Sequence, residues 1–171
     1  MITLKSITIL DENMPECIAL TVHPEQDSLV RSNVLSLADA YDTEKDFAET
    51  GEGPRAKCYA VYENDTMVGF TMYGYSPPEP GETEETEYRP TENIYIIWIL
   101  FIDKNHQRKG IGKEVVRQVM DEIKTKPFGD ANYCYVSYVP DNIGSKMTWA
   151  NYGFEEDGRV LDGEAVASIM I

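Results

Sequence analysis

Ile94-Tyr-Ile-Ile-Trp-Ile-Leu-Phe-Ile102, Asp103-Lys-Asn-His106 and Gln107-Arg-Lys-Gly110-Ile-Gly112-Lys113 form the stretch on which the reading of this chain turns. The first segment is an almost unbroken apolar run rich in β-branched and aromatic residues, so it predicts a strand buried on both faces. The polar tetrad breaks that pattern. Beyond the glycines, Val115, Val116, Val119, Met120 and Ile123 recur at helical spacing and predict an amphipathic helix reaching Lys124. A strand that feeds a glycine turn at a helix N-terminus is built to hold an anion. The first-turn N–H groups lack intrahelical partners, and the helix dipole adds positive potential there. Gly110 and Gly112 let a phosphate approach the backbone, while Arg108, Lys109 and Lys113 supply cations in an acidic chain.

The spacing excludes two common phosphate sites. A P-loop needs an upstream glycine and a hydroxyl after the Gly-Lys pair, and Gly112-Lys113 has neither. A dinucleotide fingerprint needs a third small residue near position 115, which is Val115. What remains is Gln-x-x-Gly-x-Gly after a buried strand.

That pattern, carried by Gln107, Gly110 and Gly112, resembles motif A of the GNAT family of N-acetyltransferases (positions 94–124). A second anchor lies at 132–154. Asn132 to Val139 reads as a fifth strand, Asn142 opens a helix, and Trp149-x-x-x-Gly153-Phe154 matches the Tyr-x-x-x-Gly-Phe ending of motif B except for its first residue. The resemblance implies an α/β single-domain fold with a mixed, mostly antiparallel sheet, helices on both faces, and a fourth and fifth strand that splay apart. It implies acetyl-CoA as acetyl donor, with the pyrophosphate on Gln107, Arg108, Lys109, Gly110, Ile111, Gly112 and Lys113. The pantetheine arm is then expected along Leu100, Phe101 and Ile102, near Asn142 and Trp149. Pro24, Gln26, Leu29, Val30, Asn33 and Ser36, with Val68 to Gly74 and Trp98, further resemble the bacterial diamine (spermine/spermidine-type) acetyltransferases of the family.

Composition bounds the rest. A chain of 171 residues is long enough for one cored domain, 1–171, and no internal repeat divides it. No apolar run approaches the ~20 residues that span a bilayer, and no secretory signal is evident, so a cytoplasmic protein without a membrane partner is expected. Cys17, Cys58 and Cys134 are odd in number and lack metal-ligand spacing, so they read as reduced thiols. Only His23 and His106 are available as imidazole ligands, so no metal is expected. Thirty acidic against 15 basic residues, a net charge of −15, disfavours nucleic acid and favours cationic ligands.

Read from the start, Ile2 to Leu10 predicts a strand, Cys17 to Val22 a short helix behind Pro15, and Leu29, Val30, Val34, Leu37, Ala38 and Tyr41 the apolar face of a second helix. Asp42 to Gly53 reads as polar and ends in a loop. Lys57–Glu63 and Met67–Tyr75 form a hairpin about Asn64-Asp65. Positions 76–93 carry Pro77, Pro78, Pro80 and Pro90 among six glutamates and predict an extended acidic loop. Phe154–Val160 and Glu164–Ile171 close the chain as a hairpin.

Acetyl transfer to an amine needs a neutral nitrogen, an oxyanion donor and a proton for the departing thiolate. The family's usual tyrosine acid is replaced here by Trp149, whose indole can donate a hydrogen bond but cannot act as an acid. Tyr138 and Tyr152 are the substitute candidates, and Glu25 and Gln26 are expected to face the acceptor pocket. The expected acceptor is a small cationic amine. A protein N-terminus or lysine, an aminoglycoside, and a sensing module that binds acyl-CoA without turnover stay open as alternatives. The resemblance also allows a homodimer through exposed hairpin edges.

Overall fold

The computed structural model describes residues 1–7, 13–78, 81 and 91–171. Its described elements run β1 (Ile2–Ser6), α1 (Met14–Ala19), a 3-10 turn (Pro24–Gln26), α2 (Asn33–Thr50), β2 (Arg55–Glu63), β3 (Thr66–Ser76), β4 (Ile94–Ile102), α3 (Ile111–Ile123), β5 (Tyr133–Tyr138), α4 (Ile143–Tyr152), β6 (Glu155–Leu161) and β7 (Glu164–Met170). The strands form one sheet in the order β1-β2-β3-β4-β5-β7-β6, antiparallel except for β4 beside β5.

The alternation of side chains on the central strands produces two cores. Tyr59, Val61, Tyr73, Tyr95 and Ile97 face α3 and α4, where Val115, Val116, Val119, Met120 and Ile123 are essentially inaccessible to water. Each such aliphatic side chain contributes roughly 1.5–3 kcal/mol of burial free energy. Cys58, Ala60, Phe70, Met72, Ile99 and Phe101 face α1 and α2 on the other side. The continuous apolar run of β4 is therefore used on both faces.

Glu122 pins α3 to β2 by accepting from Lys57 Nζ at 2.6 Å and from Tyr59 Oη at 2.7 Å. Burial pushes its carboxyl up, and these hydrogen bonds outweigh burial and hold it below its ordinary value.

Several expected boundaries shift. α1 occupies Met14–Ala19 rather than 17–22, because Pro15 sits in its first turn and Leu20 is already extended. α2 begins after Leu29 and Val30, where the Ser32 hydroxyl caps Leu35 N, and it runs through the polar stretch to Gly51 at φ 76°. Its predicted apolar face is rotated: Val34 and Tyr41 are exposed, Leu37 still packs on the core, and Asn33, Ser36 and Ala40 are buried. Two contacts decide the rotation. Asn33 donates to Cys17 O at 2.9 Å, and Glu44 accepts from Arg55 Nε and from Ala56 N. The first strand is described as Ile2–Ser6, with 8–10 of the expected strand outside the described residues, as is most of the acidic 76–93 stretch.

Candidate active site

A cleft of about 810 Å³ opens where β4 and β5 part. The two strands pair only at Tyr95/Cys134 and Ile96/Tyr135, so the β5-facing backbone of β4 beyond that point has no strand register. Two features of β4 lie beside the parting. Trp98 is an extra residue in β4, since Tyr73 pairs Ile97 while its neighbour Met72 pairs Ile99, which makes a β-bulge. The Trp98 ring then lies over Gly74, where any Cβ would overlap it. Leu100, Phe101 and Ile102 follow along the cleft wall.

The glycine turn closes one end. Asp103, buried at the end of β4, accepts from Thr21 N on one oxygen and from Asn105 N and Nδ2 on the other, at 2.9–3.0 Å. Burial alone would raise its carboxyl; those N–H groups outweigh burial and hold it below its ordinary value. Gln107 Nε2 then donates to Ile102 O at 3.0 Å and to Gln26 Oε1 at 2.8 Å. The chain passes through left-handed backbone at Arg108 (φ 60°) and Gly110 (φ 79°) and enters α3 at Ile111. A Cβ on Gly112 would meet nothing nearer than Leu100 Cδ2 at 3.9 Å. The first-turn N–H groups of α3 thus face open space between Arg108 and Lys113, a cradle that fits a pyrophosphate. Lys109 stands apart: its ammonium bonds Asn105 O at 2.9 Å, and it does not line the cleft.

The α4 wall answers where the remaining candidates sit. Asn142 caps its helix, accepting from Ser145 N at 3.1 Å, and lines the cleft. Trp149 is buried against Phe154 and donates its indole N–H to Ser145 Oγ at 2.9 Å. Tyr138 lines the cleft, yet its hydroxyl donates to Glu156 at 2.7 Å, and burial together with that bond pushes its phenol up. Tyr152 packs on Phe154 and meets Lys124 Nζ at 3.4 Å, off the cleft, because the side of α4 that carries Ser145, Thr148 and Trp149 faces inward. Glu25 is exposed and outside the lining; Gln26 lines it but is engaged with Gln107 and His23 N.

Sequence reasoning missed several lining residues, four of which bear on the chemistry. Asp39 pairs with Arg31 at 2.8 Å, and both border the cleft. Glu164, at the start of β7, accepts from Ser137 Oγ, and among the described residues no Lys or Arg pairs with it. Ser145 is the fourth, and the i, i+4 spacing to Trp149 was the readable signal for it. Glu164 had no such signal, since its position depends on β5–β7 register.

The Acetyltransferase (GNAT) family profile matches residues 11–154. A probable spermine N(1)-acetyltransferase of Bacillus subtilis subsp. natto is 26% identical over 168 residues, covering 96% of this chain and 95% of the relative. Among solved structures, an aminoglycoside acetyltransferase in complex with coenzyme A superposes with a TM-score of 0.69 at 18% identity, covering 99% of this chain and 95% of that one. The PaiA N-acetyltransferase of Thermoplasma acidophilum, in complex with coenzyme A, gives 0.63 at 12% identity, covering 100% and 99%.

Proposed function

The chain belongs to the GNAT family of acetyltransferases, and from that premise we propose that it moves the acetyl group of acetyl-CoA to a primary amine of a polyamine or diamine. The observation that carries the acceptor is Glu164: a carboxylate in the cleft with a hydroxyl for company and no cation among the described residues. A second ammonium on the acceptor supplies that counter-charge. The 26%-identical spermine-type relative and the net charge of −15 support the same acceptor class.

Acetyl-CoA brings an activated thioester, and this chain's residues have three tasks. Arg108, Lys113 and the N–H groups around Gly110–Gly112 hold the pyrophosphate. The free β4 edge pairs with the amide arm and offers a backbone N–H to the carbonyl oxygen. Glu164 anchors the distal ammonium, so that the other amine reaches the thioester. Transfer is direct. Burial pushes the thiols of Cys17 and Cys58 up to about 12 and raises that of Cys134 as well, so none of the three is a thiolate nucleophile at neutral pH. These buried, free thiols also support a reducing, cytoplasmic setting. Among the described residues, no helix is long and apolar enough to cross a membrane.

Mass spectrometry of spermidine incubated with the protein and acetyl-CoA tests the reading. The expected product carries one added acetyl group on a primary amine. Acetylation of an aminoglycoside or a lysine peptide, with spermidine untouched, would replace the proposed acceptor by that one.

A further inference from the structure

We propose that the Ser145 hydroxyl, oriented by the Trp149 indole, is the hydrogen-bond donor that receives the departing CoA thiolate. The inference rests on acetyl-CoA occupying the cleft, as above, but not on which amine accepts.

The hydroxyls on the β5 and α4 walls single out this residue. Four side chains there line the cleft and carry a hydroxyl: Ser137, Tyr138, Ser145 and Thr148. Ser137 donates to Glu164, Tyr138 to Glu156 at 2.7 Å, and Thr148 to Gly144 O at 2.8 Å. Ser145 alone among these four donates to no group among the described residues. Its Oγ instead accepts the Trp149 N–H at 2.9 Å, and its own N–H is fixed on Asn142 Oδ1 at 3.1 Å.

The consequence is directional. One lone pair of Oγ is occupied by the indole, so Hγ and the other lone pair are left for the cleft. Trp149 is buried and held edge-on to Phe154, so its N–H cannot swing away. Trp149 is thus a positioning residue, and Ser145 touches the reacting sulfur. An alcohol is too weak an acid to protonate a thiolate outright. It serves as a relay: the nitrogen lone pair forms the N–C bond, and the C–S pair leaves on sulfur. Sulfur takes Hγ while Oγ regains a proton given up by the nitrogen, directly or through water. The serine ends unchanged, and no other reactant is needed.

The test reads the binary complex with CoA, without an acceptor. The thiol of bound CoA is titrated by the ultraviolet absorbance of its thiolate. In the native protein it should ionise about one pH unit below an ordinary thiol at ~8.5, because the hydroxyl favours the charged form. Ser145→Ala and Trp149→Phe should each return it to the ordinary value, the double variant should go no further, and Ser145→Thr should keep the low value. At pH ~6.5, where bound CoA carries a thiol rather than a thiolate, CoA affinity should hold in the two single Ser145 variants. In turnover, Ser145→Ala should lower kcat about 10- to 100-fold with KM for acetyl-CoA unchanged. The same thiol titration in native and Ser145→Ala protein would overturn the proposal, as would a Ser145→Ala loss confined to CoA affinity. Failure of the native protein to bind CoA would overturn the donor reading itself, and absence of acetylated amine with a shifted thiol would overturn only the acceptor.

Discussion

At the glycine turn, a single missing Cβ leaves open space. Gly112 faces open space, so a side chain there strains nothing in the free protein and collides only with a ligand. Gly112→Asp should therefore keep its melting temperature within a few degrees yet lose CoA binding by calorimetry, since the carboxylate meets a pyrophosphate. Retained affinity would remove the turn from the site. Glu164 makes the matching case at the acceptor end. Glu164→Gln still accepts from Ser137 and changes the charge alone, so KM for spermidine should rise roughly tenfold while acetyl-CoA affinity holds. A KM that stays put would free the acceptor of this carboxylate. Gly112 could be read from its neighbours in the chain, being part of a local motif. Glu164 could not, because it reaches the cleft only through the pairing of Tyr138 with Ala165.

Elements were legible in proportion to how local their causes are. β4 and α3 follow from an apolar run and a 3.6-residue period, and both lie where the sequence puts them. α2 was rotated, because its orientation is set by Asn33 reaching Cys17 and Glu44 reaching Arg55 and Ala56, contacts that periodicity does not contain. The β4 bulge at Trp98 was equally invisible, being a mismatch between two strands. Asp103 joins these levels, tying the segment after α1 to the turn before α3. Its carboxyl is held below the value it has in the unfolded chain, so its contribution is full above pH ~4 and is lost as pH falls through the lower folded value. Asp103→Asn should cost about 2 kcal/mol by urea unfolding at neutral pH, because one oxygen becomes an N–H facing N–H donors. It should also flatten the acid limb of the stability profile. An unchanged profile would place the acid sensitivity elsewhere, with Glu122 next in line.

The whole molecule adds a field. Thirty acidic residues against 15 basic ones attract polycations from beyond contact range, and six of the glutamates fall between positions 79 and 92. At physiological ionic strength such attraction reaches about 8 Å, so it should fade as salt is added. Neutralising Glu82, Glu84, Glu85 and Glu87 should raise KM for spermidine and flatten its salt dependence, as followed by initial rates across ionic strengths. Identical kinetics would leave that stretch without a part in capture. The fold and the glycine turn beside the cleft were legible from motifs, and the α2, β5 and β7 walls of the cleft were not, because helix rotation and strand register place them. The most direct measurement is thiol release from acetyl-CoA with spermidine, spermine, short diamines, a lysine peptide and an aminoglycoside. Selective turnover of the polyamines, with the highest kcat/KM for a chain long enough to span from thioester to Glu164, is the predicted result. CoA bound tightly with no amine turned over would instead mark a binding module and refute transfer.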